Sequence, residues 1–272
     1  MLSATTLATR PDFSILAVTC QDNHATWSET EVRDDYRVVL VRRGRFRRRA
    51  AGAPADIDPT MAYVGVPGEE EQFAHPSGGD MCTSISLTPA LWHGTAGGVM
   101  RLARQSVYVD ARLDLTHRRL LATARTGDID YAVTEELLGL LATAVSQIIS
   151  APTHFGARAP RGEAALVAAA RQAMSDDHPA SGGLLPLAEL LGVSPYSLSR
   201  SFTREMGVSV TRYRNRVRIG QALDRLEGGE GSLSALAADL GFADQAHLCR
   251  TMRQHLGHTP TALRRLLAPR SP

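Results

Sequence analysis

Residues 185–207 read LPLAELLGVSPYSLSRSFTREMG and residues 232–257 read SLSALAADLGFADQAHLCRTMRQHLG, two stretches that set out one pattern in the same order. In the first, Leu187, Leu190 and Leu191 place apolar side chains on a short helix. Gly192 can end that helix in a left-handed backbone, and Ser194 can cap the next one. Leu198 and Phe202 lie four apart and turn inward, which leaves Tyr196, Ser197, Ser199, Arg200 and Thr203 on the outer side. In the second, Leu236, Ala237 and Leu240 make the first helix, Gly241 the turn and Asp244 the cap. Leu248 and Met252 are its inward positions, so Gln245, Ala246, His247, Arg250 and Thr251 are expected to face outward. A helix, a glycine turn and a second helix exposing small polar residues and an arginine suit a DNA major groove about 12 Å wide. Arg200 and Arg250 hold equivalent places, two residues after the inward Leu198 and Leu248. If both second helices point the same way, they enter successive grooves about 34 Å apart on one DNA face.

Between the two, TRYRNRVRIGQALDRLEGG (residues 211–229) is a continuous amphipathic pattern. Tyr213, Val217, Leu223 and Leu226 are expected inward, and Arg212, Arg214, Arg216 and Arg218 cluster early. This reads as a linking helix whose arginines bind phosphates, which positions a protein on DNA without reading sequence. The alternative reading of the region is an ordinary helical bundle with solvated arginines.

LAELLGVSPYSLSRSFTREMGVSVTRYRNRVRIGQAL followed by LSALAADLGFADQAHLCRTMRQHLGHTPTALR closely resembles the AraC/XylS family of transcriptional regulators over about Leu185 to Arg265. The resemblance includes the GF before the second recognition helix and the GHTP after it. It implies a seven-helix DNA-binding domain behind a variable N-terminal domain that binds an effector or mediates dimerisation, with activation as the family default. It also implies base contacts at Tyr196, Ser199 and Arg200 in the first unit and at Gln245, His247 and Arg250 in the second. Leu248 and Met252 stand where the family often has Phe, so looser packing is expected in the second unit.

Composition agrees with a two-domain soluble protein: 272 residues, 43% hydrophobic and 21% charged. No apolar stretch reaches the roughly 18 residues of a membrane span. The start, MLSATTLATRPD, lacks the basic and apolar regions of a secretory signal, so a cytoplasmic location with no membrane partner is expected. All 30 basic residues are arginine. Residues 1–159 carry 16 Arg against 18 Asp and Glu, and residues 160–272 carry 14 against 10, so the net +2 conceals a basic C-terminal part. Cys20, Cys82 and Cys249 are too few and scattered for a disulfide framework.

Residues 13–110 alternate β-rich runs with Gly, Pro and Asp: FSILAVTC, YRVVLVRRGRFRRR, MAYVGVP, MCTSISLTP and QSVYVD. From Leu113 the spacing becomes helical. In YAVTEELLGLLATAVSQIIS, Leu137, Leu138, Leu141, Val145 and Ile148 form an apolar stripe, expected on the sheet or, by preference, against a second subunit. APTHFGARAPRG reads as a linker. The expected organisation is α+β: residues 1–150 a β-sandwich or barrel with flanking helices, 151–162 the linker, and 163–272 an all-α domain with two helix-turn-helix units. YRVVLVRRGRFRRR followed by DPTMAYVGVPGEEEQFAHP also resembles the cupin-like effector domains of the same family. Cupin enzymes need an HxH pair that is absent here, so an enzyme fused to a DNA anchor is the least favoured reading.

CQDNHATWSE and FAHPSGGDMC offer Cys20, His24, His75 and Cys82, a ligand set suited to zinc or another transition metal. A metal- or thiol-sensing regulator is therefore the alternative function. Buried small thiols and loop histidines are the plainer reading of the same residues. The run Arg42–Arg49 is expected as a solvated hairpin guarding a sheet edge, and Trp27 and Trp92 as core before pocket. The expected partners are double-stranded promoter DNA, RNA polymerase for an activator, a small-molecule effector and a second copy of the chain. No catalytic residue is expected.

Overall fold

The computed structural model describes residues 1–96, 105–125, 127–150 and 161–267. Residues 151–160 of the expected linker and 268–272 of the expected DNA-binding domain lie outside the described residues. Arg161 and Gly162, expected in the linker, instead begin a helix. The chain divides into two compact units, one from Met1 to Ser150 and one within residues 151–268.

The first unit holds ten strands among the described residues. They are β1 (Leu2–Arg10), β2 (Phe13–Cys20), β3 (Glu31–Val32), β4 (Tyr36–Arg43), β5 (Phe46–Ala50), β6 (Ala53–Ile57), β7 (Met61–Gly65), β8 (Glu70–Ala74), β9 (Asp80–Leu87) and β10 (Ser106–Tyr108). The larger sheet runs β1-β2-β9-β4-β7-β10 and the smaller β3-β8-β5-β6, with antiparallel pairing throughout. Side chains alternate across a strand, so each strand of the larger sheet serves two environments. One face contributes Phe13, Ile15, Val38, Leu40, Val64, Ile85 and Leu87 to the main core. Helices α1 (Pro89–Ala96), α2 (Ala111–Ala124) and α3 (Thr134–Ser150) cover that face with Trp92, Leu113, Leu120, Leu137 and Leu141. The opposite face meets the smaller sheet through Val39, Val41 and Tyr63, packed with Phe46 and Ile57.

Two expectations change here. Leu137, Leu141, Val145 and Ile148 of α3 are all buried in the unit's own core, and Leu138 falls off the stripe and is exposed. The stripe is therefore satisfied by the sheet and not by a second subunit. The helical run Ile129–Ile149 is long and apolar enough, at mean hydropathy 1.4, to cross a membrane by length and composition. That corrects the count of apolar stretches, but its buried stripe accounts for the hydropathy as that of a core helix.

The arginine run is not uniformly solvated. Arg48 shares the buried face of β5 with Phe46, donates to Glu71 and Glu69 at 2.5 and 2.7 Å, and lies over the Tyr63 ring at 4.4 Å. Arg49 and Arg47 sit over Trp27 at 3.9 and 5.2 Å, while Trp92 is core and stacks on Tyr36.

The second unit holds seven α-helices among the described residues. They are α4 (Arg161–Ser175), α5 (Leu184–Leu190), α6 (Pro195–Met206), α7 (Val210–Glu227), α8 (Leu233–Asp239), α9 (Gln245–Leu256) and α10 (Pro260–Leu267). Helix α4 lies against α6 and α7, where Arg171 Nε donates to Tyr213 Oη at 3.4 Å and Tyr213 meets Phe202 edge-on.

Candidate nucleic-acid interface and cavity

The pairs α5–α6 and α8–α9 are built alike, residue by residue. Gly192 and Gly241 take φ of +66° and +68°, the left-handed backbone that only glycine adopts without strain. Ser194 Oγ accepts from Ser197 N–H at 3.1 Å, and Asp244 Oδ1 accepts from His247 N–H at 2.6 Å, so each second helix begins on a side-chain cap. Leu198, Phe202 and Met206 correspond at a constant offset to Leu248, Met252 and Leu256, and all six are buried. Gly207 and Gly257 close both helices in the left-handed region. Phe242, buried, takes the place of Val193 after the turn glycine, and the second turn carries one residue more, the exposed Ala243. Leu248 and Met252, which stand where looser packing is expected, are fully enclosed.

This leaves one polar face on each second helix. Tyr196, Ser197, Arg200 and Thr203 are exposed on α6, with Ser199 half-buried. On α9, Gln245, Ala246 and Arg250 are exposed, with His247 half-buried. Thr251, expected outside, is buried one residue past Arg250, at the place where α6 has the buried Ser201. The His247 ring stands edge-on to Phe242, and its Nδ1 accepts from Ala243 N–H at 3.3 Å. An accepting Nδ1 leaves the proton on Nε2 in the neutral ring, so His247 offers a donor from a fixed position.

The arginines of α7 divide into different roles. Arg212 is exposed. Arg214 is half-buried, its Nε atom lacks a hydrogen-bond partner among the described residues, and burial lowers its pKa. Arg216 is buried and unavailable to a phosphate, which corrects the reading of the early cluster as one cationic face. Arg218 Nη1 donates to Gly241 O at 2.9 Å and its guanidinium lies over Phe242 at 5.7 Å. It ties the linking helix to the second turn. Val217 is only half-buried.

In the first unit a cavity of about 430 Å³ opens between the two sheets. Leu16, Val18, Val39, Phe46 and Phe73 form its apolar wall, and Arg33 and Arg37 supply cationic groups. Cys20, His24, His75 and Cys82, separated in sequence, all line this cavity. Cys20 Sγ is 3.6 Å from His75 Nε2, and the His24 and His75 rings meet edge-on with centroids 5.8 Å apart. His24 and Cys82 stand outside the tightest group, which instead takes in Asp80. Sequence reading passed over Asp80 although it lies two residues before Cys82 on the same strand face. Burial pushes the Cys20 thiol up, with Asp22 and Asp80 contributing, and it pushes Cys82 to about 12, with Asp80 reinforcing. Both thiols are therefore protonated at neutral pH in the absence of a bound cation.

Residues 187–266 match a family described as a helix-turn-helix domain. An HTH-type transcriptional regulator of Haemophilus influenzae is 28% identical over 130 residues, covering 47% of this chain and 42% of the relative. The transcriptional activator RhrA of Rhizobium meliloti is 33% identical over 90 residues, covering 32% and 28%. The chain thus spans less than half the length of these relatives. Among solved structures, ToxT of Vibrio cholerae with unsaturated fatty acid bound is similar over 96% of this chain and 97% of that chain, at 11% identity and a TM-score of 0.37.

Proposed function

We propose that the chain is a sequence-specific DNA-binding transcriptional regulator of the AraC type whose N-terminal unit responds to a small effector, a reading supported by the match of residues 187–266 to a helix-turn-helix domain family. The observation that carries this is the repetition of capped, glycine-turned helix pairs, each leaving an arginine and small polar side chains exposed over a closed core. In this reading Tyr196, Ser197, Ser199, Arg200 and Thr203 on α6 and Gln245, Ala246, His247 and Arg250 on α9 meet base edges or adjacent phosphates. Arg214 contacts the backbone. Activation through RNA polymerase, a cytoplasmic location and action as a homodimer belong to the same proposal. A dimer would use a surface other than the α3 stripe. Two protomers would gain affinity on paired sites by effective concentration.

The first unit is read as a cupin-like sandwich that binds rather than catalyses. A cavity of about 430 Å³ with an apolar wall and a few convergent polar groups is of the size and make-up that holds small molecules.

The test is selection of bound sequences from a random duplex pool, followed by titration of the selected site. Arg200→Ala and Arg250→Ala are each expected to weaken specific binding by about 1–3 kcal/mol if they pair with guanine, leaving the melting temperature unchanged because both side chains are exposed. Unaltered specific affinity in both variants would overturn the assignment of the recognition faces.

A further inference from the structure

We propose that Cys20, His75 and Asp80 form a metal site at the cavity wall that holds a divalent cation of the zinc class, and that this cation is the effector. The second clause rests on the regulator reading above, whereas the site itself does not.

Three segments bring the donors together. Cys20 ends β2 and Asp80 begins β9, and the two are directly paired across those neighbouring strands. His75 follows β8 and is tethered by its N–H to His24 O at 2.9 Å. Gly79 makes the approach possible, because a Cβ there would stand 2.1 Å from Cys20 O. One ligand atom from each of the three residues lies within 4.8 Å of the other two.

The polar atoms are poorly served by one another. His75 Nδ1 and Asp80 Oδ1 are 3.0 Å apart, yet both are buried and neither makes a hydrogen bond among the described residues. The Asp80 side chain is only 3% exposed. A buried carboxylate oxygen and a buried ring nitrogen left without hydrogen bonds cost free energy, unless a third group completes them. The 3.6 Å between Cys20 Sγ and His75 Nε2 matches the roughly 3.5 Å edge of a tetrahedron with zinc–sulfur and zinc–nitrogen bonds of about 2.3 and 2.0–2.1 Å.

The donor set selects the cation. A thiolate and an imidazole with one carboxylate suit zinc, cobalt(II) and similar ions, whereas magnesium and calcium take oxygen. Three protein donors leave a further position, and Cys82 and His24 line the same cavity.

The full chain, stripped with a chelator, is titrated with cobalt(II). A thiolate-to-cobalt charge-transfer band saturating at stoichiometric metal and displaced by zinc is the expected result. Cys20→Ser should abolish the band, and Asp80→Asn and His75→Gln should weaken affinity at least tenfold. Cys249→Ser, in the other unit, should retain it. Far-ultraviolet circular dichroism identifies any variant that fails to fold, and His75→Gln then decides if Cys20→Ser does. Absence of a band, or a band that survives Cys20→Ser, overturns the site. Zinc is then added to chain and selected DNA: a shift in affinity of fivefold or more, lost in His75→Gln, supports the cation as effector, and an unchanged affinity overturns that role. Failure to bind any duplex would sink the regulator reading while leaving the cobalt result standing.

Discussion

His117 lies inside the first unit, its Nε2 2.8 Å from Thr83 Oγ1. Burial, with Arg42 next and Arg118 also contributing, lowers its pKa from 6.5 to about 3 against an opposing pull from Asp114. The folded ring is therefore neutral over a range in which the unfolded ring takes up a proton. Between pH 6.5 and 3 the unfolded chain binds more protons, so stability falls as the pH falls through that window and is unaffected by this group above it. The cost approaches about 1.4 kcal/mol for each pH unit below 6.5. Thermal melts across the window should show a decline that is shallower in His117→Gln, and an identical decline in both proteins would refute the account. His117 was not legible as a buried group, because THRR surrounds it with polar neighbours. Arg216 and Thr251 were misplaced for a related reason: helical periodicity assigns a residue to a face, but which edge of that face is covered depends on the neighbouring helix. Tyr196, Arg200, Gln245 and Arg250 were legible because each sits opposite a strongly apolar pair.

Elements followed the same division. Strand β2 coincides with FSILAVTC and β9 with an alternating run, whereas β4 and β7 read as continuous apolar runs because one face feeds the main core and the other meets the smaller sheet. Strand β1, LSATTLATR, is almost wholly exposed, and β8, EEQFA, begins with charges, so neither carried a readable pattern. Both matter to the cavity, whose wall includes Leu2, Ala4 and Phe73. The contact between α7 and the turn after α8 was likewise invisible, because an arginine four residues from others reads as a phosphate ligand. Arg218 is a brace: its guanidinium holds Gly241 O and covers Phe242, and a Cβ on Gly241 would stand 2.6 Å from Arg218 Nη2. Arg218→Ala is expected to destabilise the second unit by about 1.5–3 kcal/mol, the usual worth of a hydrogen bond from a charged donor. As a brace, its loss should leave the salt dependence of DNA binding unaltered. A drop of about one in the slope of log affinity against log salt, at unchanged melting temperature, would instead make Arg218 a phosphate contact.

At the scale of the whole molecule, the linking helix governs what the two helix-turn-helix pairs do together. Helix α7 has 18 residues, which at 1.5 Å each spans about 27 Å, comparable with the roughly 34 Å between successive major grooves on one DNA face. It is capped at its start by Ser209 and carries its own buried stripe of Tyr213, Ile219, Leu223 and Leu226, so it acts as a rod rather than a tether. A rod fixes the phase between α6 and α9. Inserting about 5 bp, half of a 10–10.5 bp turn, between the two halves of a selected site would rotate one half to the opposite face of the duplex. Specific affinity should then fall to that of a site with one half scrambled, and inserting a full turn should not restore it, since the rod cannot lengthen. A flexible connection predicts the opposite, a loss on the half-turn insertion that is largely recovered on the full turn. Gel-shift titrations of the three duplexes separate these outcomes. The modest charge of the C-terminal part makes the comparison sensitive, because with 14 arginines against 10 acidic residues after residue 159, non-specific attraction is too weak to mask the loss of one reading helix.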